Sequence, residues 1–175
     1  MSELMILTAL DGALIEGVPA LVADSLNREL NFAFSDSELP DESAFRGAAT
    51  DPGDAHAWLE RLKAVLQAEE SQNQLVVLPS FLVLLPKAAQ ELRKSPARIV
   101  FARASLTECW SRLGLLAPGQ PVGLGPVRAT WLQLAQSRKE AWLAVGAIEQ
   151  DLSGYATHTA AQALFDVFSS RIDQS

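Results

Sequence analysis

Leu4-Met5-Ile6-Leu7-Thr8-Ala9-Leu10-Asp11-Gly12-Ala13-Leu14-Ile15-Glu16-Gly17-Val18-Pro19 joins a continuously apolar run to a segment with two glycines five residues apart. A strand that is apolar without alternation is buried on both faces, as in a parallel sheet covered by helices. After Gly17 the apolar residues Val18, Leu21, Val22, Leu26 and Leu30 recur at helical spacing, with Pro19 in the first turn, where its missing N–H costs little. A strand, a glycine-bearing turn and a helix form the geometry in which a backbone cradles phosphate. The pattern for that is G-x-x-x-x-G-K-[ST]. Gly12 and Gly17 have the spacing, but Val18 stands at the lysine position and Pro19 at the hydroxyl position.

Beyond this run, short apolar stretches alternate with helical ones. Asn31–Ser35, Leu75–Leu78, Arg98–Ala102 and Ala147–Leu152 read as further strands. Between them, Asp54 is expected to cap a helix with the stripe Trp58, Leu59, Leu62, Val65 and Leu66. Another helix follows Pro79-Ser80 to about Lys94. Ser105 caps a helix through Leu113, with Glu108 at the capping-box position. The stretch 37–54 reads as a loop, and so does the Gly/Pro-rich stretch 114–126. Thr130–Val145 and Thr159–Ile172 read as helices. Strands separated by helices at this spacing imply βαβ units, and therefore an α/β protein with a parallel sheet of about five strands and helices on both faces.

The 175 residues suit a single domain, 1–175, and 49% hydrophobic content supplies a core. Acidic residues outnumber basic ones 21 to 14, for a net charge of −7, which argues against nucleic acid or anionic lipid as partner. No apolar run is long enough to span a membrane. The N-terminus lacks a basic start and a small-residue cleavage pattern, so the expectation is a soluble, cytoplasmic protein. One cysteine, Cys109, and two histidines, His56 and His158, build no zinc set and no internal disulfide. No G-x-S-x-G elbow is present to seat a nucleophile. Cys109 beside Trp110 reads as a buried, inert thiol.

In element order, length and spacing, nearly the whole chain resembles the small P-loop kinases of shikimate and gluconate. The resemblance implies a three-layer α/β/α P-loop kinase-like fold. The D-T-D-like turn of shikimate kinases corresponds to Ser35-Asp36-Ser37, with serine in place of both outer carboxylates. Pro79-Ser80-Phe81-Leu82-Val83 matches the C-S-A-L-K loop of gluconate kinases at Ser80 and Leu82, with Val83 in place of the lysine. Thr50-Asp51 through Trp58-Leu59 looks like the gluconate-kinase stretch ending in P-W-L. Gln120-Pro121-Val122-Gly123 stands where shikimate kinases carry R-P-L-L, so 114–127 is expected to be a lid-like loop. Arg138, in Arg138-Lys139-Glu140-Ala141-Trp142, falls where the family places an arginine that grips the substrate carboxylate, and Trp142 replaces a tyrosine.

The family's lysine neutralises the β- and γ-phosphates and its hydroxyl binds the bridging Mg²⁺. Valine and proline do neither, and Glu16 repels polyphosphate. Losing one preorganised donor costs about 3–4 kcal/mol of transition-state stabilisation. The sequence therefore points to a pseudokinase without catalytic or metal residues and without a cofactor, having Gly12, Gly17, Val18 and Pro19 as a degenerate phosphate loop. Arg138, Asp36 and Ser80 are the candidate substrate-binding residues. The uncharged, apolar 114–127 segment is the expected contact for a protein partner. Two alternatives stand beside this. One is an active kinase using ATP and Mg²⁺, in which Arg138, Arg128 and Arg103 converge on the loop. The other is a nucleotide-independent sensor of a small carboxylate, anchored by Arg138.

Overall fold

The computed structural model describes residues 3–34, 52–115 and 121–170. Five strands, β1 (Met5–Ala9), β2 (Glu29–Phe32), β3 (Gln74–Pro79), β4 (Arg98–Arg103) and β5 (Ile148–Asp151), form one sheet in the order β2-β3-β1-β4-β5. Every pairing is parallel, and β1 lies in the middle, with Ile6 opposite Val76 on one side and Ile99 on the other. The helices are α1 (Val18–Ser25), α2 (Pro52–Gln67), α3 (Ala88–Lys94), α4 (Leu106–Arg112), α5 (Pro121–Ala144) and α6 (Thr157–Ser169). The expected α/β fold with a five-stranded parallel sheet is present.

The continuously apolar β1 is buried on both faces, because successive side chains point to opposite sides. Ile6 joins Val76, Leu78 and Phe101 beneath α2, α3 and the end of α5, where Leu62, Leu92 and Trp142 pack. Leu7 joins Leu75 and Val100 on the other face, beneath Val18 and Val22 of α1 and Leu164 and Phe168 of α6. Each such side chain removed from water is worth about 1.5–3 kcal/mol. A third cluster of Ala13, Ala104, Cys109, Leu115 and Trp131 closes the carboxyl end of the sheet. Among the described residues, no helix is long and apolar enough to cross a membrane.

Several boundaries differ from the sequence expectation. The helical spacing from Val18 to Leu30 carries past the true end of α1 at Ser25. Asn27 adopts a left-handed φ of 52°, and Arg28 N–H donates to the Ala23 carbonyl, a Schellman-type stop. Leu30 therefore lies in β2, which starts at Glu29 and ends at Phe32, earlier than expected. The residues Ser35-Asp36-Ser37 lie outside the described ones. Helix α2 starts at Pro52, a favoured first-turn residue, so Asp54 is inside the helix instead of capping it. The helix expected after Pro79 is divided into a 3₁₀ turn, Ser80–Leu84, and α3. Between them come Pro86 and the left-handed Lys87. The Gly/Pro-rich 114–126 stretch is not loop throughout, because α5 begins at Pro121. Residues 116–120 lie outside the described ones, and α6 ends at Ser169, short of Ile172.

Connections from neighbouring strands leave on opposite faces of the sheet. β1 leads to α1 on one face, and β3 leads to the 3₁₀ turn and α3 on the other. A crevice opens between the carboxyl ends of such strands, and ligands bind there in open α/β sheets.

Candidate functional site at the carboxyl end of the sheet

The segment from Leu10 to Val18 is a pair of tight turns. Ala13 N–H donates to the Leu10 carbonyl at 2.9 Å, and Val18 N–H donates to the Ile15 carbonyl at 3.2 Å. Gly12 and Gly17 both have left-handed φ values, 83° and 85°, but for different reasons. A Cβ on Gly12 would lie 2.6 Å from the Cys109 carbonyl oxygen of α4, whereas one on Gly17 would meet nothing within 4 Å. Gly12 is therefore a close-packing residue, and Gly17 only supplies the backbone turn into α1. Arg112, on the last turn of α4, donates from Nη1 to the carbonyls of Gly12 at 2.8 Å and Ala13 at 3.2 Å. Val18 and Pro19 are buried, and Val18 packs into the core beneath α6.

Asp11 faces the other way. Its Oδ2 accepts from Arg138 Nη1 at 2.7 Å, and the same nitrogen donates to Ser80 Oγ at 3.2 Å. Trp142, one turn further along α5, donates from Nε1 to the Ser80 carbonyl at 2.8 Å. The loop after β1, the turn after β3 and α5 are thereby tied together. Arg138 is 2% exposed and Asp11 24% exposed, so the carboxylate, and not the guanidinium, is presented outward. Burial pushes the Asp11 carboxyl above its ordinary value, against the opposing pull of Arg138.

The candidate residues thus divide. Arg138 and Ser80 come together, with Asp11 as the partner that sequence reasoning missed. Asp36 lies outside the described residues. Arg128 donates to the Leu115 carbonyl and stacks over the Trp110 ring, 5.2 Å from its centroid. Arg103 pairs with Glu149 and with Asp151, the latter at 3.1 Å. Neither is directed to the Gly12–Gly17 turns, and the guanidinium that does reach them, Arg112, was also missed. Its signal was faint, a lone basic residue in the last turn of a short helix. Arg138 had a clearer one, a single charge on the otherwise apolar α5 face of Trp131, Ala135 and Trp142.

Beside Asp11 a cavity of about 240 Å³ opens between the ends of β1, β2 and β3, walled by Leu10, Leu14, Phe32, Phe34, Val77 and Pro79. A second, of about 280 Å³, lies near the end of β4 between Leu106 of α4 and Trp131, Leu132 and Lys139 of α5. Burial raises the Cys109 thiol to about 11, which leaves it inert as a nucleophile. Among the described residues, no group of three or more His, Cys, Asp or Glu is placed to hold a metal ion.

The chain's fold has solved counterparts. A shikimate kinase from Acinetobacter baumannii, in complex with shikimate, superposes with a TM-score of 0.63 at 15% identity, over 94% of this chain and 91% of that one. The fold is shikimate-kinase-like. An unliganded sugar kinase from Janibacter sp. HTCC2649 gives a TM-score of 0.57 at 16% identity, over 96% and 95% of the two chains. A protein from Eubacterium ventriosum gives 0.50 at 12% identity, over 95% and 98%. No family model and no curated protein sequence matches the chain. At these identities the shikimate-kinase-like architecture is shared and the site residues have to be judged on their own.

Proposed function

We propose that this shikimate-kinase-like chain does not transfer phosphate from ATP and works as a binding protein with a regulatory or structural role. The observation that supports the reading is how the Gly12–Gly17 turns use part of their backbone and where Arg112 is placed. Ala13 and Val18 spend their N–H groups on local carbonyls, and Arg112 is bound to the carbonyls of Gly12 and Ala13. A phosphate cradle needs the reverse, several N–H groups converging on the anion. The residues also fail to fit Mg-ATP, because Val18 is packed in the core, Pro19 has no N–H to give, and neither carries a cation or a hydroxyl.

The reading of an active kinase needs Arg138, Arg128 and Arg103 to supply charge to the turns, and their pairing with Asp11, the Leu115 carbonyl and Glu149 works against it. A carboxylate sensor anchored on Arg138 would have to displace Asp11 from a nearly buried guanidinium. A protein partner at 114–127 stays part of the proposal, and Leu115 of that stretch is buried in a cluster with Trp131. The test is calorimetric titration with millimolar Mg-ATP, joined to a screen for ADP release over shikimate, gluconate and other polyols. No heat and no turnover are expected. A micromolar dissociation constant, or turnover on any of these alcohols, would overturn the reading.

A further inference from the structure

The cavity beside Asp11 has an unusual charge for a site in this position. Among its described lining residues Asp11 is the only ionisable one, and the rest are Leu10, Leu14, Val77, Leu78, Pro79, two phenylalanines and small residues. Arg138, which balances Asp11 overall, keeps its side chain 2% exposed behind the carboxylate. An approaching ligand therefore meets the Asp11 carboxylate between apolar side chains and Ser80. The Asp11–Arg138 pair is neutral overall, but its outward group is the carboxylate, which an ammonium can contact directly, whereas an anion meets no exposed cation among the described lining residues.

The aromatic wall reinforces this. Phe34 already holds a cation, since the Arg61 guanidinium stacks on its ring at 5.1 Å from the centroid. Phe32 lines the same cavity and is 56% exposed, a large apolar side chain left facing water. Ring faces attract cations by their quadrupole, and ammonium ions are recognised by carboxylate and aromatic groups together. The volume of about 240 Å³ exceeds the roughly 150 Å³ of a cavity that admits benzene, so one ring with a short side chain fits.

We propose that the crevice between the ends of β1, β2 and β3 binds a small organic amine, with its ammonium group on Asp11 and its apolar body against Phe32, Leu14 and Val77. The proposal deepens the binding-protein reading and rests on it only for the absence of phosphoryl transfer. The site thus selects for charge opposite to that of a carboxylate or phosphate ester.

Three probes that share a phenylethyl body and differ in their polar end test it by calorimetry and saturation-transfer NMR: 2-phenylethylamine, 2-phenylethanol and 3-phenylpropionate. The amine is expected to bind at least about tenfold more tightly than the carboxylate, with the alcohol between them. Phe32→Ala, at an exposed position that leaves the fold intact, should weaken the amine about threefold. Asp11→Asn should erase the preference of amine over alcohol, its fold being checked by circular dichroism. Carboxylate binding as tight as amine binding, silence from all three probes at millimolar concentration, or an unchanged amine affinity in Phe32→Ala would overturn the proposal. A parallel Mg-ATP titration separates the two readings. ATP binding beside amine binding removes the non-kinase reading and leaves this site standing, whereas silence to both nucleotide and amine does the opposite.

Discussion

The two sides of Asp11 differ in what fills them. On one side, the Gly12–Gly17 turns are packed at their start and anchored at their end: the α4 backbone presses on Gly12, Arg112 holds two carbonyls, and Val18 sits in the core. On the other, the end of the sheet is hollow and bordered by an exposed phenylalanine. In a nucleotide-dependent kinase both halves of such a crevice have to receive ligand. Here the start of one half is packed against α4 and the other half is open, so a shared fold does not fix how each half of the crevice is used.

Substitutions can break or sharpen this contrast. The largest effect is expected from Gly12→Ala, since a Cβ 2.6 Å from a carbonyl oxygen forces α4 away from a left-handed residue. A loss of about 3 kcal/mol or more in urea unfolding is expected, and a loss under about 1 kcal/mol would mean the packed half is loose. Asp11→Ala removes the Oδ2 acceptor from buried Arg138 and should cost about 2–3 kcal/mol, discounted from the usual buried-pair figure because Asp11 is partly exposed. Replacing both partners, Asp11→Leu with Arg138→Met, should recover most of that loss. Gly17→Ala shares the left-handed φ but meets no atom, so about 1 kcal/mol is expected. If Gly12 and Gly17 variants melt alike, packing does not distinguish the two glycines.

The smallest effect is a pH dependence. Glu108 accepts from Ser105 and from the Gly154 N–H and lies 3.7 Å from Arg112, the residue that holds the turns. Its hydrogen bond from the Ser105 hydroxyl, foremost, keeps its carboxyl below the ordinary value. A depressed carboxylate stabilises the fold above its unfolded-state pKa, and that contribution is lost as pH falls through the folded value. Glu108→Gln should therefore flatten the acid limb of the stability curve by lowering stability at neutral pH while leaving the low-pH end little changed. An unaltered acid limb would detach Glu108 from the packed half.

Much of the architecture could be read locally. The unalternating β1 run, the Ser105/Glu108 capping box and the helical stripes are short-range patterns, and each produced its element. Element ends were harder, because α1 stops at Asn27 through backbone geometry that leaves no mark on the apolar spacing. The site was legible only in part. Arg138 and Ser80 were picked out, but Asp11, which also accepts from Arg138, is 127 residues from it in the chain, and Arg112 is 100 residues from Gly12. Such pairings are set by the sheet order β2-β3-β1-β4-β5, and no periodicity along the chain encodes them.

The central proposal is that the turns after β1, where Ala13 and Val18 bond to local carbonyls and Arg112 holds those of Gly12 and Ala13, take no polyphosphate. The most direct measurement follows the backbone amide resonances of Ala13 and Val18 by NMR while Mg-ATP is added to millimolar concentration. The account predicts that both stay fixed and stay protected from hydrogen exchange. Saturable shifts of both amides with a micromolar midpoint would contradict it.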